Sequence, residues 1–277
     1  MDGALHYDRH VAPFVIPYTT ALVEKLADPF PRRLLDHGAG TGAVTAAFHA
    51  ADPSIMVTAL DPSREMLHRI ALQPQVNIER VEIVHGRVDD LASAETFDAI
   101  ASQLVFMFVP DVAAELVRLR SFVVAGARIA ISVLRGPESV IPFAAFWNAA
   151  HAVDPDAYPA DHYPHFRFAD PELLEADLTA SGWCDVEIQA IESWREVTDR
   201  ELWTWLRGAL PVYRASGASA SLSEADAGAV RESVLASIGQ YQIGSGQYRL
   251  PMHGWLITAR AGDVPAPTRT THPPLAS

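Results

Sequence analysis

The chain has 277 residues, 49% of them apolar, with 34 acidic against 21 basic side chains and a net charge of −13. The length suits one α/β domain with an inserted or appended helical portion, and the apolar share is enough for a full core. Scattered lysine and arginine under a large acidic excess exclude the basic face that a nucleic acid or an anionic membrane surface demands.

Met1 to Arg9 lacks a basic start and an apolar stretch, and no run of roughly eighteen apolar residues follows, so a soluble, cytoplasmic chain is expected. The single cysteine, Cys184, gives neither a disulfide framework nor a cysteine zinc site and is expected to be a small buried hydrophobe.

Tyr7 to Ala27 carries apolar residues at helical spacing, Ala21, Leu22 and Leu26, behind Pro13 and Pro17, which predicts a helix with an irregular lead-in. Short apolar strands are predicted at Leu34–His37, Met56–Asp61, Val81–His85, Phe97–Gln103 and Ala127–Leu134, with helices at Gly42–Ala51, Ser63–Ala71 and Pro110–Val124 between them. This alternation implies a parallel sheet covered on both faces. From Gly136 the pattern changes to prolines, aromatics and histidines, predicting a helix over Ile141–Val153, a long loop, and a helix over Leu173–Ser181 stopped by Gly182. Cys184–Trp194 alternates as a strand does; helices over Asp199–Leu210 and Ser223–Gln240 follow, and Met252–Ala261 is the last strand. A long connection lets that strand lie antiparallel in the sheet. The tail after Gly262 holds four prolines and no apolar pattern, so it is expected to be disordered.

Asp36-His37-Gly38-Ala39-Gly40-Thr41-Gly42 joins the first strand to a helix, and Asp61 ends the second strand. Alternate glycines let the backbone turn tightly and approach a ligand, the helix start offers unpaired N–H groups, and a carboxylate at the next strand tip suits two ribose hydroxyls. A nucleoside-containing ligand is expected. The turn also satisfies the dinucleotide pattern G-x-G-x-x-G/A, which leaves a nicotinamide-dependent oxidoreductase as an alternative. Asp36 favours a cationic ligand, since a carboxylate two residues before the glycines repels pyrophosphate and attracts an ammonium.

The same segment resembles the first motif, D/E-x-G-x-G-x-G, of the class I S-adenosylmethionine-dependent methyltransferases. Leu60-Asp61-Pro62-Ser63-Arg64-Glu65-Met66-Leu67 is similar to the family's second motif, and Phe97-Asp98-Ala99-Ile100-Ala101-Ser102-Gln103-Leu104 to its fourth. Phe106-Met107-Phe108-Val109-Pro110-Asp111 resembles the small-molecule branch grouped with the ubiquinone and menaquinone biosynthesis (type 11) enzymes. The resemblance covers about residues 5 to 261 and implies a Rossmann-like seven-stranded, mostly parallel α/β sheet with its last strand antiparallel, helices on both faces and a helical cap inserted after strand five.

It also implies S-adenosyl-L-methionine as cofactor, leaving S-adenosyl-L-homocysteine, with Asp61 on the ribose and Met66 flanking the adenine. Pro62, Val88 and Asp89 join the adenine side, the turn residues Gly38, Ala39, Gly40 and Gly42 and the strand-four residue Ser102 hold the methionine part, Asp36 acts on its ammonium, and Gln103, counted with the cofactor-binding residues, stands at the lip of the acceptor pocket. The family commonly has G-D-A after strand three; here Arg87, in His85-Gly86-Arg87-Val88-Asp89, stands where that acid would be. A cofactor-binding protein of this fold that does not methylate is therefore a further alternative.

The implied organisation is an N-terminal lid helix over 1–30, a cofactor-binding core over 31–135, a helical cap and substrate region over 136–180 and 195–250, final strands at 183–194 and 252–261, and the tail 262–277. Methyl transfer needs alignment above all, and a base only where the acceptor loses a proton. The candidate bases are Tyr158, His162 and His165 in the proline-rich loop and His151 on the helix before it. No metal site is expected, because Pro164 breaks any helical pairing of His162 with His165. Phe106, Phe108, Phe143, Phe146 and Trp147 suit either an apolar acceptor pocket or ordinary core. A small-molecule acceptor and a monomer or homodimer are expected.

Overall fold

The computed structural model describes residues 3–92, 96–159, 164–209 and 222–262. In chain order the elements of the first half are α1 (Gly3–His10), α2 (Ala12–Leu26), β1 (Arg33–His37), α3 (Ala43–Ala51), β2 (Met56–Asp61), α4 (Arg64–Leu67), β3 (Val81–His85), β4 (Phe97–Gln103), α5 (Val112–Arg120) and β5 (Val123–Leu134). Those of the second half are α6 (Ile141–Val153), α7 (Glu172–Ala180), β6 (Trp183–Ile191), β7 (Trp194–Thr198), α8 (Asp199–Ala209), α9 (Glu224–Ser237), β8 (Gln242–Gly244), β9 (Gln247–Pro251) and β10 (Gly254–Ala261).

The main sheet has seven strands in the order β3-β2-β1-β4-β5-β10-β6, and β10 runs antiparallel to both of its neighbours. The predicted fold class is observed. Central strands β1 and β4 are buried almost throughout, because helices cover both faces and leave polar side chains in contact with water only at the strand ends. Helix α2 lies against β4, β5 and β10 and buries Phe14, Val15, Tyr18, Leu22 and Leu26. At roughly 1.5–3 kcal/mol for each fully buried large apolar side chain, this face sustains the helix despite the donor missing at Pro17.

Strand order reverses at β1, which pairs β2 on one side and β4 on the other. His37 is level with Leu60 and with Ser102, so Asp61 and Gln103 stand one residue beyond the tip of β1 and flank the turn that follows it. Ligands of open α/β sheets bind at this switch point, beyond the carboxyl ends of the strands.

Several elements depart from the sequence reading. The expected irregular lead-in is helical, its start in a separate helix, α1, and Pro13 and Pro17 within α2. Strand β5 begins at Val123, and its register against β4 shifts between Phe97 and Ala99. Helix α4 stops at Leu67 and a 3-10 turn over Ile70–Leu72 replaces its second half. Helix α5 starts only at Val112, where the Asp111 carboxylate accepts the Ala114 N–H at 3.0 Å. The strand drawn to Trp194 is two: β6 ends at Ile191, and β7 joins a second, three-stranded sheet, β7-β9-β8. The range read as helical cap, 195–250, thus also holds β8 and nearly all of β7 and β9. Cys184 is exposed on edge strand β6 rather than buried, its Sγ 3.5 Å from the Arg260 carbonyl. His162 and the tail beyond Gly262 lie outside the described residues.

Candidate active site

The turn after β1 is built from its glycines. Gly38 and Ala39 both donate to the Leu60 carbonyl, at 2.8 and 2.9 Å, which tucks the turn over the tip of β2. Gly38, Gly40 and Gly42 take φ of +72°, +53° and +90°, a region that costs other L-residues about 1–2 kcal/mol each. A Cβ on Gly38 would collide with the Val105 side chain, and one on Gly42 would press Ile70 at 3.0 Å. A Cβ on Gly40 would meet nothing within 4 Å, so the turn has one face closed by protein and one face open. Ala39 is buried and packs with Ala59, Leu67 and Ile70.

Asp61 stands at the open face. One oxygen accepts the Gly40 N–H at 2.9 Å and the other the Ser63 N–H at 2.7 Å, so the carboxylate bridges the glycine turn and the start of α4. The Gly40 and Gly42 N–H groups, expected from the sequence to be unpaired at the helix start, are engaged inside the protein, by Asp61 and by the Ala39 carbonyl. Pro62 is exposed and its carbonyl lies 3.1 Å from His85 Nε2; Met66 is half-buried, its N–H on Ser63 Oγ at 3.3 Å.

Asp36 lies behind the turn, fully buried. Its Oδ2 accepts the Thr45 hydroxyl at 2.6 Å and the Thr45 N–H at 3.0 Å, which fastens α3, while its Oδ1 has no partner among the described residues. Burial pushes this carboxyl up to about 7, against the pull of the two Thr45 hydrogen bonds and with a small push from Asp61. An orphaned buried oxygen next to the open turn suits a positive charge arriving there.

At the tip of β4, Gln103 is half-buried and its Oε1 accepts the Thr19 hydroxyl at 2.6 Å, which ties α2 to the site and leaves the amide NH2 as the group Gln103 can offer. Ser102 is fully buried and turns its hydroxyl to His37 Nδ1 at 3.0 Å. After β3, Val88 is buried, Arg87 is exposed with its N–H on Asp90 at 2.8 Å, and Asp89 is ion-paired to Arg118 of α5 at 2.8 Å. Asp89 is thus drawn toward α5 rather than held as a substitute for the missing acid.

Helix α1 closes the near side. Its Asp8 pairs with Arg69 at 2.8 Å and the Ala4 N–H reaches Glu65 at 3.2 Å, so both contacts fall on the segment just after Asp61. The Tyr7 phenol is pushed up to about 12 by burial first and then by the charges of Asp61 and Asp8. Asp8, Thr19 and His37 are not singled out in the sequence: Asp8 and Thr19 carry no local motif, and His37 stands at a variable position of one.

Beyond Gln103 an aromatic chain crosses five segments. Phe108, just past β4, meets His165 edge-on at 5.4 Å; His165 stacks on Phe143 of α6 at 5.5 Å, Phe143 lies 5.1 Å from Trp205 of α8, and Trp205 stacks on Phe14 of α2 at 4.1 Å. Phe106 packs on His37 instead. Tyr158 is buried away from this chain, edge-on to Trp147 at 5.6 Å and to Phe146 at 6.2 Å. His151 Nδ1 lies 2.7 Å from the Tyr158 carbonyl and Trp147 Nε1 donates to the Pro159 carbonyl at 3.0 Å, so these two hold the loop. The structure places His165 against Phe108, a few residues past β4, and leaves Tyr158 and His151 at the C-terminal end of α6. Among the described residues no cluster of three or more metal-ligating side chains occurs, and no helix is long and apolar enough to cross a membrane.

Residues 34–124 match the model of a methyltransferase domain family. The chain is 28% identical over 144 residues to the malonyl-[acyl-carrier protein] O-methyltransferase of Halalkalibacterium halodurans, covering 50% of this chain and 51% of that one. It is 28% identical over 176 residues to the demethylmenaquinone methyltransferase of Roseiflexus sp., covering 60% and 73%. The chain thus spans about half the length of the first relative. The structure of the YcgJ protein from Bacillus subtilis superposes with a TM-score of 0.58 at 17% identity, over 88% of this chain and 99% of that one, a likeness of fold.

Proposed function

We propose, from the match of residues 34–124 to a methyltransferase domain family, that the chain transfers a methyl group from S-adenosylmethionine to an O, N or C nucleophile of an apolar small molecule. The observation that carries this reading is the open face of Gly40, with the Asp61 carboxylate beside it and the unpartnered Asp36 oxygen behind it. When bound, the cofactor supplies a methyl group on a sulfonium, a leaving group that needs no metal and no covalent enzyme intermediate.

The rest falls to the chain. Asp61 accepts from ribose hydroxyls, Met66 and Pro62 flank the adenine, and Asp36 favours the ammonium electrostatically. Gln103, oriented by Thr19, stands between the donor and acceptor sides. Phe108, Phe143 and Trp205 exclude water from an apolar acceptor, which strengthens every charge interaction inside. His165 takes the acceptor's proton where the acceptor has one to lose, since it alone of the described base candidates sits in the aromatic chain that starts at β4.

S-adenosylhomocysteine is expected to raise the melting temperature and NAD to leave it unchanged; protection by NAD alone would overturn the reading. Asp61→Asn keeps one carbonyl for the turn N–H groups but weakens S-adenosylhomocysteine binding by about tenfold or more in calorimetry. Unchanged affinity in that variant would misplace the ribose. His165→Gln is expected to lower kcat about 100-fold with donor affinity unchanged, measured with labelled methyl transfer to extracted metabolites. Wild-type turnover in that variant would remove His165 from the chemistry.

A further inference from the structure

A buried row of polar groups runs behind the turn, formed by residues far apart in sequence. Glu115 of α5 lies 3.1 Å from His37 Nε2, and His37 Nδ1 lies 3.0 Å from Ser102 Oγ. The side chains of His37 and Glu115 are only 6% and 16% exposed, Ser102 is fully buried, and Phe106 covers the imidazole at 5.5 Å. A carboxylate only accepts, so Nε2 carries the ring proton, and Nδ1 accepts a hydrogen bond from the Ser102 hydroxyl. Each bond then polarises the next in one direction, and burial leaves little solvent to screen it. The row joins α5 to the tips of β1 and β4, the two strands whose ends form the back of the open turn.

We propose that Glu115, acting through His37 and Ser102, is a positioning residue that sets the affinity for the donor's ammonium. The proposal rests on the methyl-donor reading above. The row fixes the tips of β1 and β4 at one spacing and turns electron density toward the cation. Burial raises the Asp36 carboxyl to about 7, so near neutral pH it is only partly ionised and a second carboxylate on this side has a task that Asp36 alone performs incompletely.

The isosteric Glu115→Gln tests it, because the amide oxygen still accepts the Nε2 proton while the charge is gone. In calorimetry with S-adenosylmethionine and with S-adenosylhomocysteine, which share the ammonium, Kd is expected to rise about three- to tenfold for both, with little change in melting temperature. Ser102→Ala should weaken both ligands alike and Ser102→Thr should restore them. Unchanged Kd in Glu115→Gln, or a lower melting temperature with unchanged Kd, would reduce the row to a structural brace and overturn the proposal. Weakening of S-adenosylmethionine alone would overturn the assignment to the ammonium. Wild-type protein that binds neither ligand would instead refute the donor reading itself.

Discussion

Gly40→Ala is expected to abolish donor binding while leaving the fold nearly intact, and Gly38→Ala to do the reverse. Two residues apart on one turn, both glycines have positive φ, +53° and +72°, so each alanine carries a backbone penalty of about 1 kcal/mol. The difference lies in what the new methyl meets. At Gly38 it enters the space of Val105, whose short branched side chain has its own Cβ only 3.2 Å away and cannot swing clear, so overpacking of about 1–3 kcal/mol adds to the strain. At Gly40 it enters the open face and costs the protein nothing further. Thermal melts with and without S-adenosylhomocysteine separate the two: Gly38→Ala melts several degrees low, whereas Gly40→Ala melts near wild type and loses the ligand-induced shift. A Gly40→Ala protein that still shifts would mean that the donor does not occupy that face.

The second large effect concerns pH. The Asp36 carboxyl is near 7 in the folded chain, raised by burial, and has its ordinary value when unfolded. Between those values the unfolded chain releases a proton that the folded chain keeps. The stability that protonated Asp36 contributes is therefore fully present below about pH 4 and is lost as pH rises through 7, on the order of a few kcal/mol in all. A cationic donor prefers the ionised form, so its affinity should rise up to about pH 7 and level off above. Binding below that point should release a proton, seen as an enthalpy that depends on the buffer's ionisation heat. In Asp36→Asn the amide oxygen keeps the Thr45 bonds while the NH2 is left unpaired, a cost of about 1–3 kcal/mol at every pH. The slopes decide: relative to wild type the variant should gain stability from pH 4 to 8, and its weakened donor affinity should be flat. Parallel slopes in the two proteins would show that Asp36 does not titrate in this range.

The parallel part of the fold was legible because its signal is local. Strands buried on both faces read as apolar runs, and Met56–Asp61, Val81–His85 and Phe97–Gln103 have their predicted ends. The second sheet was not legible: Gln242–Gly244 is three residues long, and in Trp194–Thr198 Val197 alone is fully buried, so neither produces an apolar run. Cys184 misled for a related reason, since edge strand β6 exposes positions that look like core by composition. In the site, Asp36, the glycines and Asp61 announce themselves by spacing. His37 does not, because its partners Ser102 and Glu115 are 65 and 78 residues away and only the parallel pairing of β1 with β4 brings them together.

Helix α1 is a wall shared by two compartments. It rests on the donor side through Asp8 with Arg69 and Ala4 with Glu65, and on the cap through its packing against α8. A helix of eight residues cannot tighten toward one neighbour without changing its fit to the other. Whatever free energy the donor gains by ordering α1 is then returned, by reciprocity, to the acceptor's affinity. The two substrates of a transfer reaction would in this way sense each other across the protein before their reacting atoms meet.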